Sequence, residues 1–352
     1  SVAPGRFLPV RAFRLIQEVI VYMKNTFGSV VSVTIYGESH GPAAGAVLDG
    51  LPAGLPVDEA FLAACMDRRR ARGGGLSTAR TEADTAEILS GVYRGRTAGT
   101  AIAFAIRNEN TRSGDYAKTA ALLRPGHADY TAFMKYDGWQ DPRGGGHFSG
   151  RITAGLTAAG AVCLHALAAK GVRIGTHLYR CAGVADTPFA EQEDALNAQL
   201  DALARTGAFA LLNPEAEAPL QAAIRAAGAA GDSVGGILET AVTGLPAGAG
   251  EPFFDSAESV LSHLVFSIPA VKGVEFGAGF ALADLTGSTA NDAFRMAGDL
   301  IVTATNRSGG INGGITNGMP LVFRTAVKPT PSIYREQDTV DFTARRNAKL
   351  SI

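Results

Sequence analysis

Short apolar runs rich in β-branched residues alternate along this chain with longer stretches whose apolar positions recur at helical spacing. Residues 29–36, Ser-Val-Val-Ser-Val-Thr-Ile-Tyr, are β-branched and aromatic and predict a strand. A second strand is predicted at 44–49, ahead of Gly50-Leu51-Pro52-Ala53-Gly54. Asp58 stands where an N-cap would open a helix over 59–70, with apolar residues on one face. Strands follow around 86–93 and 100–107, then a long, largely buried helix over 151–170. Helices are predicted over 190–205, 215–228 and near 255–264, and strands over 234–243 and 320–327.

The pattern contains an echo. Gly-Leu-Pro-Ala-Gly occurs at 50–54 and again at 244–248, each after an apolar strand-like run. Gly95-Arg96-Thr97-Ala98-Gly99 has a looser counterpart in Gly314-Ile315-Thr316-Asn317-Gly318, in the same order. These residue types are common here, so chance competes with a duplicated strand-helix unit. Strands and helices do not alternate in clean βαβ units, and no Gly-x-Gly-x-x-Gly follows a strand. The pattern therefore favours an α+β fold with antiparallel sheets over a doubly wound one.

Composition narrows the class. The 352 residues are 46% hydrophobic and 18% charged, the balance of a globular protein rather than a disordered one. A net charge of -1 gives no global attraction to nucleic acid or to membrane surfaces. Cys65, Cys163 and Cys181 form neither a metal-ligand spacing nor a disulfide framework, which fits a reducing cytoplasm. Residues 152–169 carry no formal charge but lack interfacial aromatic residues, so they read as a buried helix rather than a membrane span. Residues 1–22 lack the hydrophobic core and small-residue cleavage site of a secretory signal and read as an extension outside the fold.

Five segments carry candidate chemistry. Gly37-Glu38-Ser39-His40-Gly41 puts a histidine between glycines at a strand end, where it suits proton transfer near neutral pH and equally an ordinary solvated turn. Arg68, Arg69, Arg70 and Arg72 cluster at a helix end before Gly73-Gly74-Gly75. Guanidinium groups pair bidentately with carboxylate and phosphate, although a basic helix C-terminus is also favoured by the helix dipole. Arg124-Pro125-Gly126-His127-Ala128-Asp129 offers His127 as acid or base with charged neighbours, or else an ordinary polar loop. Arg143-Gly144-Gly145-Gly146-His147-Phe148-Ser149-Gly150-Arg151 leads into the long helix, and a glycine run there suits an anion. Finally, Asn306-Arg307-Ser308-Gly309-Gly310-Ile311-Asn312-Gly313-Gly314 precedes Lys328-Pro329-Thr330-Pro331-Ser332. No metal-ligand cluster and no Gly-x-Ser-x-Gly elbow stands out. Together the segments suit an enzyme acting on a small, polyanionic, phosphorylated compound.

In this order the five segments resemble the chorismate synthase family, from about Met23 to the chain end. The resemblance implies antiparallel sheets sandwiching a helical core, with an internal pseudo-repeat, and residues 23–352 as one domain. It implies the anti-1,4-elimination of phosphate from 5-enolpyruvylshikimate 3-phosphate to give chorismate, the last step of the shikimate pathway. The cofactor implied is reduced FMN, with NADP as an associated nucleotide and an external flavin reductase as a partner. A cytoplasmic homotetramer is implied as well. His40 matches the histidine near substrate that protonates the leaving phosphate, and His127 the one that serves the reduced flavin. Arg69, Ser149 and Arg151 match substrate contacts, and Arg72 is a candidate where the family's second arginine aligns with Gly75. His147, Phe148, Ser149, Pro269, Ala270, Gly313, Lys328, Pro329, Thr330, Pro331 and Ser332 match the flavin-contacting set. Two departures stand out: His147-Phe148-Ser149 replaces a common Arg-Ser-Ser, and the family's Arg-His-Asp-Pro segment does not follow 338–352. The second departure raises the alternative of an impaired paralogue that binds flavin or substrate only.

Overall fold

The computed structural model describes residues 24–71, 76, 82–109, 121–205 and 209–351. Residues 1–22, Arg72 and the Gly73-Gly74-Gly75 run lie outside the described residues.

The first half forms an antiparallel sheet from β1 (Thr26–Gly28), β2 (Ser32–Gly37), β3 (Ala43–Asp49), β4 (Ala86–Ile88) and β5 (Ile102–Arg107), in the order β1-β2-β3-β5-β4. The strand expected over 29–36 starts later, at Ser32: Gly28, at φ +94°, and residues 29–31 turn the chain so that β1 pairs back on β2. A Cβ at Gly28 would sit 2.0 Å from the Val31 carbonyl oxygen, so the turn requires glycine. The stretch 86–93 is likewise broken at Gly91 (φ +82°), after which Val92–Tyr93 pairs with Arg96–Thr97 as a separate hairpin. Helix α1 (Glu59–Arg69) begins as expected, with Asp58 Oδ1 accepting the Phe61 N–H at 2.9 Å.

Helix α2 (Asp129–Tyr136) and a glycine-rich turn lead to α3 (Thr153–Ala168). With its lead-in, α3 is long and apolar enough to cross a membrane by composition alone, yet it packs on α1 and on β3. Its buried residues are Ala154, Gly155, Ala158, Ala159, Ala161 and Val162, small enough for close approach to the sheet. A Cβ at Gly155 would meet the Gly45 carbonyl oxygen at 2.4 Å, so only glycine allows this helix-strand contact. Leu48, Ile102, Phe104 and Ile106 fill the other side of this core with Leu62 and Met66 of α1. Each such side chain, fully buried, contributes roughly 1.5–3 kcal/mol. The ring of His165 on α3 is half-buried and lies against Phe61, centroids 5.7 Å apart.

The second half contains β6 (Arg173–Cys181), β7 (Val184–Ala185), α4 (Glu193–Arg205), α5 (Glu217–Ala229), β8 (Gly236–Thr243), α6 (Ala257–Phe266), β9 (Val271–Phe276) and β10 (Leu321–Val327). Its sheet order is β9-β10-β8-β6-β7. Neighbouring residues on β8 point to opposite faces, as strand geometry demands. Ala241 joins Leu196, Leu200 and Leu203 of α4 on one side, while Val242 joins a cluster with Leu261 and Val265 of α6 on the other.

The two Gly-Leu-Pro-Ala-Gly segments make the same hydrogen bonds. Thr97 Oγ1 donates to the Pro52 carbonyl at 2.7 Å and accepts the Leu55 N–H at 2.9 Å. Thr316 Oγ1 donates to the Pro246 carbonyl at 2.7 Å and accepts the Ala249 N–H at 2.9 Å. The Gly54 and Gly248 N–H groups donate to the carbonyls of Thr97 and Thr316, both at 2.8 Å. From β2 the first half runs through two strands, a helix, a strand, a small hairpin and a final strand. The second half repeats this order as β6, β8, α6, β9, the hairpin at 311–316 and β10, with β7, α4 and α5 inserted after β6 and residues 279–303 inserted after β9.

β6 was not evident from the sequence. Its residues, Arg-Ile-Gly-Thr-His-Leu-Tyr-Arg-Cys, do not alternate cleanly because His177 points inward. Fully buried, His177 donates from Nδ1 to Asp186 at 2.8 Å and from Nε2 to Glu239 at 3.1 Å. Glu239 also accepts from Arg324 Nε at 2.9 Å and from the Phe189 N–H at 2.8 Å. Burial by itself would raise the Glu239 carboxyl, but these donors hold it below its ordinary value.

Candidate functional site

Two segments 110 residues apart in sequence meet at one glycine turn. Between β2 and β3 the chain reverses through Glu38-Ser39-His40-Gly41. Gly37 (φ +101°) starts the reversal, because a Cβ there would lie 2.4 Å from the Ala43 carbonyl oxygen. The Ser39 N–H donates to the Gly146 carbonyl at 3.0 Å, and His147 Nδ1 donates to the Gly37 carbonyl at 2.8 Å. The turn is thereby bound to the glycine run.

Gly144, Gly145 and Gly146 all have positive φ, at 60°, 91° and 54°. A Cβ on Gly144 would lie 2.2 Å from His40 Cε1, and one on Gly145 would lie 3.0 Å from His127 Nε2. The run is therefore a bare strip of backbone with His40 against one glycine and His127 against the next. Side chains on Gly144 and Gly145 would fill the space that the imidazoles occupy, and a Cβ on Gly146 would lie 2.1 Å from the Asp141 carbonyl oxygen.

His127 comes from the loop that opens α2. Its Nδ1 donates to Asp129 Oδ1 at 2.8 Å, which leaves Nε2 directed at Gly145. Asp129 also accepts from Arg124 Nε at 2.8 Å, from Arg124 Nη2 at 2.6 Å and from the Arg124 backbone N–H at 2.9 Å. Burial would raise the Asp129 carboxyl, but these bonds to Arg124 and His127 outweigh it and hold the carboxyl far below the usual carboxylate range. A permanently ionised Asp129 orients the imidazole and fixes its tautomer. Beside His40, Asp141 is lowered by its bonds to Arg143, with a smaller contribution from His40.

The Lys328 segment reaches the same loop: Lys328 Nζ donates to the Gly126 carbonyl, and Pro331 lies against Gly126. The Lys328 N–H donates to Ala270, at φ +73°, over 2.9 Å, which brings Pro269 and Ala270 alongside. Thr330 is fixed by Ser233 Oγ donating to its carbonyl at 2.7 Å, while Ser332 is exposed. Phe148 follows His147 and packs edge-on to Tyr136, centroids 6.1 Å apart. Ser149 caps the turn before α3, its Oγ accepting the Arg151 N–H at 3.2 Å. Gly313 lies at the tip of the hairpin Ile311–Asn312 and Ile315–Thr316.

Arg69 and Arg151 converge on a residue that sequence reasoning missed. Asp84, almost fully buried and at φ +52°, accepts from Arg69 Nη1 on one oxygen and from Arg151 Nη1 on the other. Burial lowers the Arg69 guanidinium from its ordinary value. Arg151 also donates from Nε to Asn108 Oδ1 at 2.8 Å and from Nη2 to the Arg107 carbonyl at 2.9 Å. Asn108 in turn donates from Nδ2 to the carbonyls of Glu38 and Gly41, at 3.0 and 2.7 Å. Nothing in local sequence marks Asp84 or Asn108, because each gains its meaning from partners 15 to 70 residues away. Arg72 lies outside the described residues.

A strip of glycine backbone between two histidines, ringed by arginine and lysine, can accept a flat or anionic molecule and move protons at its surface. A family model described as chorismate synthase matches residues 31–352. The chain belongs to the chorismate synthase family. The chorismate synthase of Chitinophaga pinensis is 45% identical over 328 residues, covering 93% of this chain and 88% of that protein. That of Aeropyrum pernix is 44% identical over 328 residues, covering 93% of this chain and 85% of its own length. A crystal structure of chorismate synthase matches with a TM-score of 0.69 at 30% identity, covering 86% of this chain and 85% of that one. The chorismate synthase match therefore spans both halves of the fold, including every segment that meets at the glycine strip.

Proposed function

We propose that the chain is a phosphate-eliminating carbon-oxygen lyase. It converts 5-enolpyruvylshikimate 3-phosphate to chorismate by anti-1,4-elimination, as the last step of the shikimate pathway, and requires reduced FMN. The observation that carries this reading is the placement of His40 and His127 against adjacent glycines of one strip. Membership of the family supports it.

The residues present fit a flavin and an anionic substrate. Gly144, Gly145 and Gly146 carry no side chain to block a flat ring, and Arg124 and Lys328 put positive charge beside His127. His147, Phe148, Ser149, Pro269, Ala270, Gly313, Lys328, Pro329, Thr330, Pro331 and Ser332 would hold FMN. When bound, reduced FMN supplies electron density that assists departure of phosphate without net redox change.

The protein's own groups do the rest. His40 protonates the departing phosphate. His127, oriented by Asp129, turns Nε2 toward the flavin side of the strip and serves the reduced flavin there. Arg69, Arg72, Ser149 and Arg151 bind or orient the substrate's phosphate and carboxylates, whose charge calls for guanidinium donors. The matched hydrogen bonds at Thr97 and Thr316 support an internal pseudo-repeat in which two antiparallel sheets sandwich a helical core. Residues 23–352 act as one domain. Phe253, Phe254, Phe280, Phe294 and Leu300 are at least 69% exposed and support a homotetramer in which such surfaces are covered. The protein works in the cytoplasm, with reduced flavin supplied through an external NADP-linked reductase.

One assay tests the reading. The chain is mixed anaerobically with reduced FMN and substrate while chorismate absorbance and phosphate release are followed. Turnover without net flavin consumption is expected. Flavin binding without turnover would instead identify an impaired paralogue, and stoichiometric flavin oxidation an oxidoreductase.

A further inference from the structure

The turn that carries His40 has its peptide groups fixed from outside, and Asn108 is central to this. Asn108 directly follows β5, and its own N–H donates to the Pro42 carbonyl at 3.1 Å, just past the turn. Its side-chain amide donates to the carbonyls of Glu38 and Gly41, the residues that bracket Ser39 and His40. Its carbonyl oxygen accepts from Arg151 Nε, and a guanidinium only donates. The amide orientation is therefore fixed: the nitrogen faces the turn and the oxygen faces Arg151. Arg151 is buried and anchored by Asp84 and the Arg107 carbonyl, so Asn108 is held by a rigid base.

We propose that Asn108 is a positioning residue for His40, holding its imidazole in place over Gly144. This rests on the proton-donor role given to His40 above. The two hydrogen bonds pin the carbonyls at the start and the end of the two-residue tip Ser39-His40, whose span is closed by the Gly41 N–H donating to the Glu38 carbonyl at 3.2 Å. Released from them, the turn would keep its bonds to Gly146 and His147 and the backbone bond at Pro42 but lose the side-chain brace on the two carbonyls around Ser39 and His40. The imidazole would then sample positions away from the glycine strip, and a displacement of about 1 Å can cost roughly 100-fold in rate.

Asn108→Asp is the direct test. It keeps the shape and the acceptor for Arg151 but replaces both donors to the turn with an acceptor. Turnover is measured for the native chain, Asn108→Asp, His40→Ala and the double variant. The expected result is a fall in kcat of about 10- to 100-fold for Asn108→Asp, with KM within about threefold. In the His40→Ala background the same change should cost less than about threefold, because a residue acting through His40 has nothing left to position. An equal loss in both backgrounds overturns the proposal. If the aspartate variant does not fold, Asn108→Ser carries the same cycle. A second measurement does not need turnover. In the flavin-free chain, the His40 ring resonances, assigned through His40→Ala, should shift in Asn108→Asp, while those of His165, His177 and His263 stay in place. Unmoved His40 signals, or a general shift of all four, overturn it. A native chain with no turnover but the expected ring shifts would refute the activity and leave the positioning role standing.

Discussion

Gly144→Ala tests the link between the glycine strip and catalysis. The added Cβ would lie 2.2 Å from His40 Cε1 and 2.3 Å from Nδ1, with Ser39 Oγ at 3.0 Å. Ordinary van der Waals contact begins near 3.4 Å, so the ring must withdraw by about 1.2 Å, the difference between 3.4 and 2.2. Alanine at φ +60° adds a left-handed backbone cost of about 1–2 kcal/mol. Overpacking costs about 1–3 kcal/mol more, a total that a domain of ordinary stability survives. The rate should suffer more than the fold, because a displacement of about 1 Å at a proton donor lowers turnover roughly 100-fold. Anaerobic turnover is to be compared with thermal unfolding of the same sample. Gly150→Ala is the control, since a Cβ there meets nothing within 4 Å. A folded Gly144→Ala protein turning over within threefold of the native rate would refute the placement of His40 at the reacting centre.

Three further outcomes are expected. Asp129→Asn removes the negative charge that orients His127 and replaces one of the two acceptor oxygens with a donor, so it should lower kcat by at least about tenfold, part of the 10²–10⁴ typical of a general acid or base. The Asp129 carboxyl is depressed in the fold, so its stabilisation is complete above the ordinary carboxylate range and is lost as pH falls toward its folded value. The stability gap between native and Asp129→Asn proteins in urea should therefore narrow from pH 6 to pH 3, and a constant gap would contradict the ion pair. His177→Ala leaves Asp186 and Glu239 buried without their shared donor and should destabilise the chain by about 3–5 kcal/mol in chemical denaturation. Its kcat should hold below the melting transition, and a selective loss of turnover would place this network in the reaction. Arg69→Ala should raise KM, and substrate affinity of the native chain should fall with salt more steeply than that of the variant. Equal salt slopes would remove Arg69 from the substrate site.

The local parts of the site were legible because each depends on near neighbours in the chain. Asp58 capped its helix because an N-cap needs only residues within one turn. The Gly144-Gly145-Gly146 run stood out because three consecutive glycines admit backbone geometry that few other residues take. His40 and His127 were each ambiguous alone, since a histidine in a turn carries no local sign of what it faces. Asp84 and Asn108 passed unnoticed for the same reason. Their roles are set by Arg69, Arg151 and the Glu38 and Gly41 carbonyls, all distant in sequence. β6 was missed because a buried histidine interrupts its alternation, and the acids that satisfy it lie on other segments.

By itself the sequence determined the α+β class, most of the helices, the echo at Gly-Leu-Pro-Ala-Gly and the order of segments that resembles the chorismate synthase family. Periodicity, capping and glycine punctuation are short-range properties, and they survive in one dimension. Only the tertiary structure decided that His40 and His127 face one strip, that Asp129 stands behind one of them, and that Asp84, Arg151 and Asn108 brace the other. Those are distances between residues brought together by packing small-residue α3 onto the first sheet, and no local pattern encodes them.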